Sequence, residues 1–394
     1  MPKILRIINR FNLGGPVLNA ALLTKHLQTD FETRLVGGLH EPGEESASFI
    51  FNEMNIPFEV IPGMRRNLNP LNDYFSLLKI RKIIREFKPD IVHTHAAKAG
   101  TLGRLAARME GINTIVHTFH GHVFHSYFNK SITGLFIGIE RLLSRISSRI
   151  IAISAKQAEE LTSRYRICSA EKITVIPLGF DLGKFTNNMA EKRIAFRNRF
   201  KTDDKTVAIG IIGRMVPVKN HRMFIEVFRL VRERVTVPVR AFIIGDGPMR
   251  DEIIQLAQHS GLSVGCPDES PDGKDIIFTS WIKEMDEVMA GLDIVSMTSL
   301  NEGTPVSIIE AQAAGKAVVA VKAGGTGDIV DPGVTALLAP PGDISVFTSN
   351  LESLVMNVEL RIKMGKSGRD FSTGRFHYNR MVRETGDLYF SLIR

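Results

Sequence analysis

Short apolar runs alternate with segments of helical periodicity along the whole chain, the pattern of parallel sheets covered by helices. In the first half, Ile4–Ile8, Thr33–Val36, Asp90–His93, Thr114–Thr118, Arg149–Ile153 and Ile173–Ile176 read as strands, and the stretches 37–43 and 63–70 as loops. After Pro177-Leu-Gly-Phe-Asp-Leu-Gly a polar stretch runs to about Lys205, which puts a domain junction near residues 180–190. A second series follows: Val207–Ile212, Val239–Ile244, Ile276–Phe278, Ile294–Ser296, Ala317–Val321 and Thr335–Leu338. Each series predicts one doubly wound, Rossmann-like α/β domain, over residues 1–185 and 186–370. A Gly/Ser-rich bend at Gly365–Gly374 precedes a last helical segment from Phe376 to Ile393, within residues 371–394.

Two amphipathic helices of the first half carry bases. One has Lys79, Arg81, Lys82, Arg85 and Lys88 among Leu77, Ile80, Ile83, Ile84 and Phe87; the other, Ser131 to Arg149, has Arg141, Arg145 and Arg149. The formal net charge of the chain is +8. All of this excess lies in residues 1–190, with 24 Lys+Arg against 16 Asp+Glu. Such a balance suits nucleic acid, an anionic membrane or a phosphorylated substrate. Either helix could lie on a membrane surface, but packing on a sheet with a solvated basic face is the favoured reading for each taken alone. Two cysteines, Cys168 and Cys266, build no disulfide framework and suggest a reducing compartment. No signal peptide and no transmembrane stretch are expected, nor is any helix-turn-helix, RRM or zinc-finger pattern present.

Three glycine-bearing turns stand where a strand should end and a helix begin: Leu13-Gly14-Gly15-Pro16, Ile212-Gly213-Arg214 and Ala323-Gly324-Gly325-Thr326-Gly327. Such turns let backbone amides approach a phosphate. Arg214 and Lys219 beside the second turn could neutralise a diphosphate, or could simply be solvated. In Glu302-Gly303-Thr304-Pro305-Val306, Thr304 can cap a helix that starts at Pro305, leaving free amides in the preceding loop. Glu302 in that loop and Glu310 on the helix stand among Val, Ile and Ala, and a carboxylate in such company needs a partner. Sugar or ribose hydroxyls would serve, as would a structural lysine or backbone amides.

Six of the eleven histidines, His93, His95, His117, His120, His122 and His125, crowd into one stretch of the first half. Their spacing matches no closed zinc site, so no metal is assigned. Structural hydrogen bonding is the reading for His93 and His117, and contact with a substrate for His120. No Asp-x-Asp pair, Walker loop or Gly-x-Ser-x-Gly occurs.

In this order the motifs resemble the retaining glycosyltransferases of family 4, specifically bacterial enzymes of exopolysaccharide, capsule and O-antigen assembly. The matching residues are Gly14-Gly15, Asp90-Ile-Val-His-Thr-His, His117-Thr-Phe-His120-Gly121-His, Ile176-Pro-Leu-Gly-Phe-Asp, Gly213-Arg214 with Lys219, Ile244-Gly-Asp-Gly-Pro and the Glu302/Glu310 pair. The resemblance implies the GT-B fold, two facing Rossmann-like domains with a terminal helix crossing back to the first. The first domain would take the acceptor and the second the donor. By position, Arg214 and Lys219 would hold the donor diphosphate, Glu302 the sugar hydroxyls, and Glu310 the ribose. Amides of the stretch Gly303-Thr304-Pro305-Val306 would meet phosphate or sugar. Gly15 would approach from the other domain, His120 would sit by the reacting carbon, and Trp281 and Ile282 by the base. Two positions depart from the family: Asn220 and Ser280 stand where glycine is frequent.

Breaking a glycosyl–phosphate bond builds negative charge on the diphosphate, which preaimed cations and a helix end stabilise. No carboxylate can be nominated as a nucleophile, so the resemblance implies same-face attack by the acceptor, without a metal cofactor. The expectation is a hexosyltransferase that moves a sugar from a nucleotide sugar, with UDP preferred, to a lipid-linked or glycan acceptor in cell-surface polysaccharide synthesis. It would be cytoplasmic and peripheral on the inner face of the plasma membrane, through its basic first domain. The alternatives are a nucleotide-sugar 2-epimerase on the same fold or, from another class, a basic nucleic-acid-binding protein; no nucleic-acid partner is expected.

Overall fold

The two alternating series form two parallel sheets of seven strands each in the computed structural model, which describes all residues except Leu13, 42–45, Arg66, Leu68, 122–129, Asp268 and Arg394. One unit comprises residues 1–180 together with the chain from Tyr378 onward, and the other comprises residues 181–377.

The first unit contains β1 (Lys3–Arg10), β2 (Glu32–Gly38), β3 (Phe58–Val60), β4 (Ile91–His95), β5 (Thr114–Phe119), β6 (Arg149–Ala152) and β7 (Ile173–Val175). Their order is β3-β2-β1-β4-β5-β6-β7. The chain reverses its direction of winding between β1 and β4, and open α/β sheets bind ligands at the carboxyl ends of the strands flanking such a switch. Helices cover both faces, so β1, β4 and β5 bury nearly every residue and lack the two-residue alternation of a half-exposed strand. Gly37 and Gly38, expected in a loop, end β2, whereas the three-residue β3 has too short an apolar signal to stand out.

The second unit contains β8 (Val207–Ile212), β9 (Val239–Ile244), β10 (Val264–Gly265), β11 (Ile276–Ser280), β12 (Ile294–Met297), β13 (Ala317–Val321) and β14 (Leu337–Ala339). Their order is β10-β11-β9-β8-β12-β13-β14, which places the switch between β8 and β12. Every strand pair among the described residues is parallel. The core on one face of this sheet joins Ile209, Ile211, Phe224, Phe228, Ile243, Phe278 and Phe347.

Both ends of the second unit differ from the sequence expectation. Residues 181–185 belong to it, because Phe185 in the short turn Gly183–Phe185 is buried against the helices Met285–Gly291 and Val306–Ala313. The expected bend at Gly365–Gly374 is instead helix, running from Val358 to Phe376. Two of its glycines pack closely: a Cβ on Gly365 would stand 2.0 Å from the carbonyl oxygen of Gly315, and one on Gly368 3.2 Å from the Gln312 side chain. The terminal helix starts at Tyr378, returns to the first unit and buries Tyr389 against β1 and β4.

Candidate active site

In the second unit, functional side chains collect at the carboxyl ends of β8 and β12, on either side of the switch. After β8, the amide of Gly213 donates to the carbonyl of Ile244 at 2.9 Å. A Cβ on Gly245 would lie 2.1 Å from the carbonyl oxygen of Gly213, so these two turns touch only because Gly245 has no side chain. Buried Met215 anchors the following loop, donating its amide to the Asp246 carbonyl. Arg214 beside it is exposed, and its guanidinium has no hydrogen-bond or ion-pair partner among the described residues.

Lys219 ends the turn Pro217–Lys219 and lays its stem along Gly213. Its Nζ donates to Glu302 Oε1 at 2.6 Å. The hydroxyl of Thr298, just past β12, donates to the carbonyls of Lys219 and Asn220, and the Leu300 amide to the Val218 carbonyl. The diphosphate lysine and the sugar glutamate expected from the sequence are therefore neighbours, and each holds the other's charge in place. The third glycine turn has a different part from the one expected. The amide of Gly325 is spent on the Glu302 carbonyl at 2.8 Å, so this turn props the Glu302 loop and does not offer that amide to a phosphate.

Thr304 does not cap the next helix. That helix spans Val306–Ala313, with Pro305 at its cap position and no side-chain cap. Proline fixes φ but has no side-chain acceptor, so the helix end stays open. The amides of Gly303, Thr304 and Val306 donate to no acceptor among the described residues, so the loop presents three open donors of the kind that suits an anion. One turn into the helix, Glu310 is half-buried, and its carboxyl has no hydrogen-bond partner among the described residues. Burial pushes its carboxyl up to about 7; Lys184 draws it down and Asp286 adds to the rise. Trp281 is 57% exposed, with its ring edge at Gly245, whereas Ile282 is buried.

In the first unit, Gly15 opens the helix Gly15–His26 directly after the end of β1. The histidines at the ends of β4 and β5 form a buried network. His93 joins Tyr389 Oη through Nδ1 at 2.5 Å and Thr118 Oγ1 through Nε2 at 2.8 Å. Arg6 donates to Tyr389 Oη and to Thr24. His117 pairs with the Thr94 hydroxyl at 2.8 Å, and His95 Nδ1 with His120 Nε2 at 2.9 Å. Burial holds all four imidazoles below their usual range, His120 at about 3, so they are neutral at pH 7. His120 keeps Nδ1 buried without a partner. A neutral imidazole with one open nitrogen can exchange a hydrogen bond with a hydroxyl. His122 and His125 lie outside the described residues. Among those described, no three His, Cys, Asp or Glu side chains stand together as metal ligands.

Sequence reasoning missed Arg6 and Tyr389 as members of this network, and Lys184 beside Glu310. Arg6 does leave a signal, a cation interrupting the apolar first strand. Tyr389 leaves none, because its partners are distant in the chain.

The two units match different family descriptions. Residues 14–184 match the model "Glycosyltransferase Family 4" and residues 206–357 the model "Glycosyl transferases group 1". The chain is a GT-B glycosyltransferase. It is 28% identical to the UDP-Gal:alpha-D-GlcNAc-diphosphoundecaprenol alpha-1,3-galactosyltransferase of Escherichia coli, over 84% of this chain and 83% of that one. It is 23% identical to the capsular polysaccharide biosynthesis glycosyltransferase CapM of Staphylococcus aureus, over 85% of each. Among solved structures, Anabaena HepE in complex with UDP superposes with a TM-score of 0.82 at 21% identity, over 99% of this chain and 100% of that one. In this transferase, then, the switch-point residues of the second sheet belong to a fold whose solved members include one holding a nucleoside diphosphate.

Proposed function

We propose that this transferase moves a sugar with retention of anomeric configuration from a UDP-sugar to a lipid-linked or glycan acceptor in cell-surface polysaccharide synthesis. The observation that carries this is the second unit's switch point. The loops there carry a guanidinium without a side-chain partner, an ammonium held on Glu302 and three open amides, the kinds of donor that a departing diphosphate needs. Such preorganised positive charge lowers the barrier to glycosyl–phosphate cleavage and can take the place of a metal ion. The second unit (181–377) is then the donor domain and the first the acceptor domain. Arg214 and Lys219 hold the diphosphate, Glu302 receives sugar hydroxyls once Lys219 turns to phosphate, and Glu310 receives the ribose. Gly15 and His120 contribute from the first unit, Trp281 and Ile282 at the base, with Gly303, Thr304, Pro305 and Val306 around the phosphate and sugar. The relative from Escherichia coli, named for a UDP-galactose donor and a diphosphoundecaprenol-linked acceptor, supports both the nucleotide and the acceptor class.

Contact with a membrane surface rests on apolar side chains more than on charge. Most bases of the helix Pro70–Phe87 are engaged, Lys79 with Glu59 and Arg81 and Arg85 with Glu110. Leu71, Tyr74 and Phe75 at its start, however, are each more than half exposed, as are Leu135 and Leu142 on the helix Lys130–Arg145. Among the described residues, no helix is long and apolar enough to cross a membrane.

The deciding experiment is a thermal-shift panel of UDP-, GDP- and ADP-sugars, followed by NMR of the product's anomeric centre with chelator present. The expected result is stabilisation by UDP-sugars, transfer that persists in chelator and an α-linked product from an α-donor. An inverted product removes retention, and release of an epimerised sugar without acceptor replaces transfer with epimerisation.

A further inference from the structure

The second sheet has another cluster of cations at its amino end, opposite the donor loops. A cavity of about 350 Å³ opens where β8, β12 and β13 begin. Val207 starts β8, Asp293 precedes β12 and Lys316 precedes β13; Val358 and Arg361, in the first turn of the helix Val358–Phe376, close the side. Four cations, Arg193, Lys205, Lys316 and Arg361, line it against two carboxylates, Asp204 and Asp293.

The two carboxylates do not cancel the cations. Asp293 is already saturated: it accepts from Arg197 at 2.6 Å and from the Ala208 amide at 2.8 Å, and Arg193 stands 3.0 Å away. Asp204 has its side chain 87% exposed and comes no nearer than 3.7 Å to Arg193. The cations, by contrast, have donors to spare. Lys316 Nζ donates to the Ala290 carbonyl at 2.7 Å and to nothing else among the described residues, although an ammonium has three protons. Arg361 spends one nitrogen on the carbonyls of Leu354 and Val355, leaving the rest of its fork. Lys205 is exposed and unpaired among the described residues. A helix amino end adds its positive pole beside them, and Val207, Val358 and Ile362 give the rim an apolar part.

The geometry points to a second anion site, separate from catalysis, that takes a phosphate dianion, free or as a monoester, between Lys205, Lys316 and Arg361. Three donors lining one cavity suit the three oxygens of one phosphoryl group. Burial holds the Lys316 amine down at about 7, with Arg193, Arg197 and Arg369 adding to the fall and Asp293 opposing it. An arriving dianion supplies the counter-charge that Lys316 lacks.

The test is the unfolding midpoint against inorganic phosphate at constant ionic strength, chloride replacing phosphate in the control. Because the donor loops can also take phosphate, the experiment is run in Arg214→Ala as well as in the unaltered chain. Stabilisation by phosphate is expected to persist in Arg214→Ala. On that background Lys205→Ala weakens it about threefold, and Lys316→Met about tenfold or more. Loss of the phosphate effect in Arg214→Ala alone overturns the proposal, as does an effect that neither added substitution weakens. Should Lys316→Met fail to fold, Lys205→Ala decides by itself. A parallel sedimentation with phosphatidic acid vesicles separates the sources. Vesicle binding lost in the same two variants assigns the site to a lipid headgroup, and vesicle binding indifferent to them, with the phosphate effect retained, assigns it to soluble phosphate. The inference is independent of the donor assignment, which the UDP-sugar panel tests separately.

Discussion

In each sheet the first strand lies inside the sheet and marks the switch in winding direction, yet the carboxyl ends of the strands flanking the two switches differ in electrostatics. In the first unit, four imidazoles are neutral and bonded to Tyr389, Thr118, Thr94 and one another, while His95 Nε2, His117 Nε2 and His120 Nδ1 are buried without a partner among the described residues. In the second, Arg214 is free, Lys219 and Glu302 form an ion pair with its side chains still partly exposed, and Glu310 has no partner among the described residues. One scaffold thus supports two kinds of recognition. The first end is suited to uncharged hydroxyls, the second to a charged leaving group. Substitutions at the first should be read mainly in stability, at the second mainly in turnover.

The largest effect that could break this contrast is Arg214→Ala. Removing one preaimed cation from a developing charge costs about 10²–10³ in kcat. Because Arg214 makes no protein contact that folding depends on, the unfolding midpoint should not move. A comparable loss of stability, measured by calorimetry, would mean that the guanidinium is structural. His93→Ala is the mirror experiment. It empties a fully buried position, orphans the Thr118 hydroxyl and takes one of two partners from Tyr389 Oη, which keeps Arg6; this costs about 2–4 kcal/mol of stability. Denaturant melts with unaltered m-value should show it. Turnover measured well below the lowered midpoint should change far less than in Arg214→Ala.

Acid and base should also separate the two ends. An imidazole whose folded pKa lies below its unfolded value of 6.5 binds fewer protons folded than unfolded. His120 therefore makes the protein lose stability as pH falls from 6.5 toward about 3. Glu310 acts in the opposite direction. Its carboxyl is raised from 4.5 to about 7, so the folded form holds the extra proton and stability falls as pH rises through that window. Glu310→Gln is expected to match the unaltered protein at pH 4.5 and to exceed it at pH 8, by about 1–2 kcal/mol after allowance for solvent screening. The same substitution weakens donor binding, a cost in function for the gain in stability. Thermal melts across pH, with and without UDP, check both halves; a difference between the variant and the unaltered protein that is no larger at pH 8 than at pH 4.5 would show that Glu310 is solvated.

How much of this was legible in the chain follows from where the signal resides. Both parallel sheets were, because strands buried on two faces read as apolar runs: Val207–Ile212, Val239–Ile244 and Ala317–Val321 have the same bounds in sequence and structure. The short edge strands Phe58–Val60 and Val264–Gly265 were not, since two or three residues carry no period. The bend expected at Gly365–Gly374 failed because glycine was taken for a breaker where it serves close packing. At the site, Arg214, Lys219, Glu302 and Glu310 were legible as charges beside turns. The 2.6 Å contact between Lys219 and Glu302 was not, since it joins residues from two strands through tertiary folding. Thr304 was misjudged for a local reason: a capping residue type stood one position before a proline that took the cap itself.

The smallest predicted effect sharpens the comparison at its most local level. Two loops of the second unit's site hold non-glycine residues in the left-handed region, Asn220 at φ 50° and Ser280 at φ 56°, the two positions where the resembling family often has glycine. Asparagine tolerates this conformation through local hydrogen bonding, whereas serine does so less readily. Ser280→Gly should therefore stabilise the protein by about 0.5–1 kcal/mol and Asn220→Gly by less, each gain reduced by the extra freedom of glycine in the unfolded chain. Ser280 directly precedes Trp281, and Asn220 directly follows Lys219, so each φ also sets where a site side chain leaves the backbone. If that orientation matters, Ser280→Gly will raise KM for the nucleotide sugar while raising the midpoint; if stability rises and KM stays put, the strain has no part in holding Trp281.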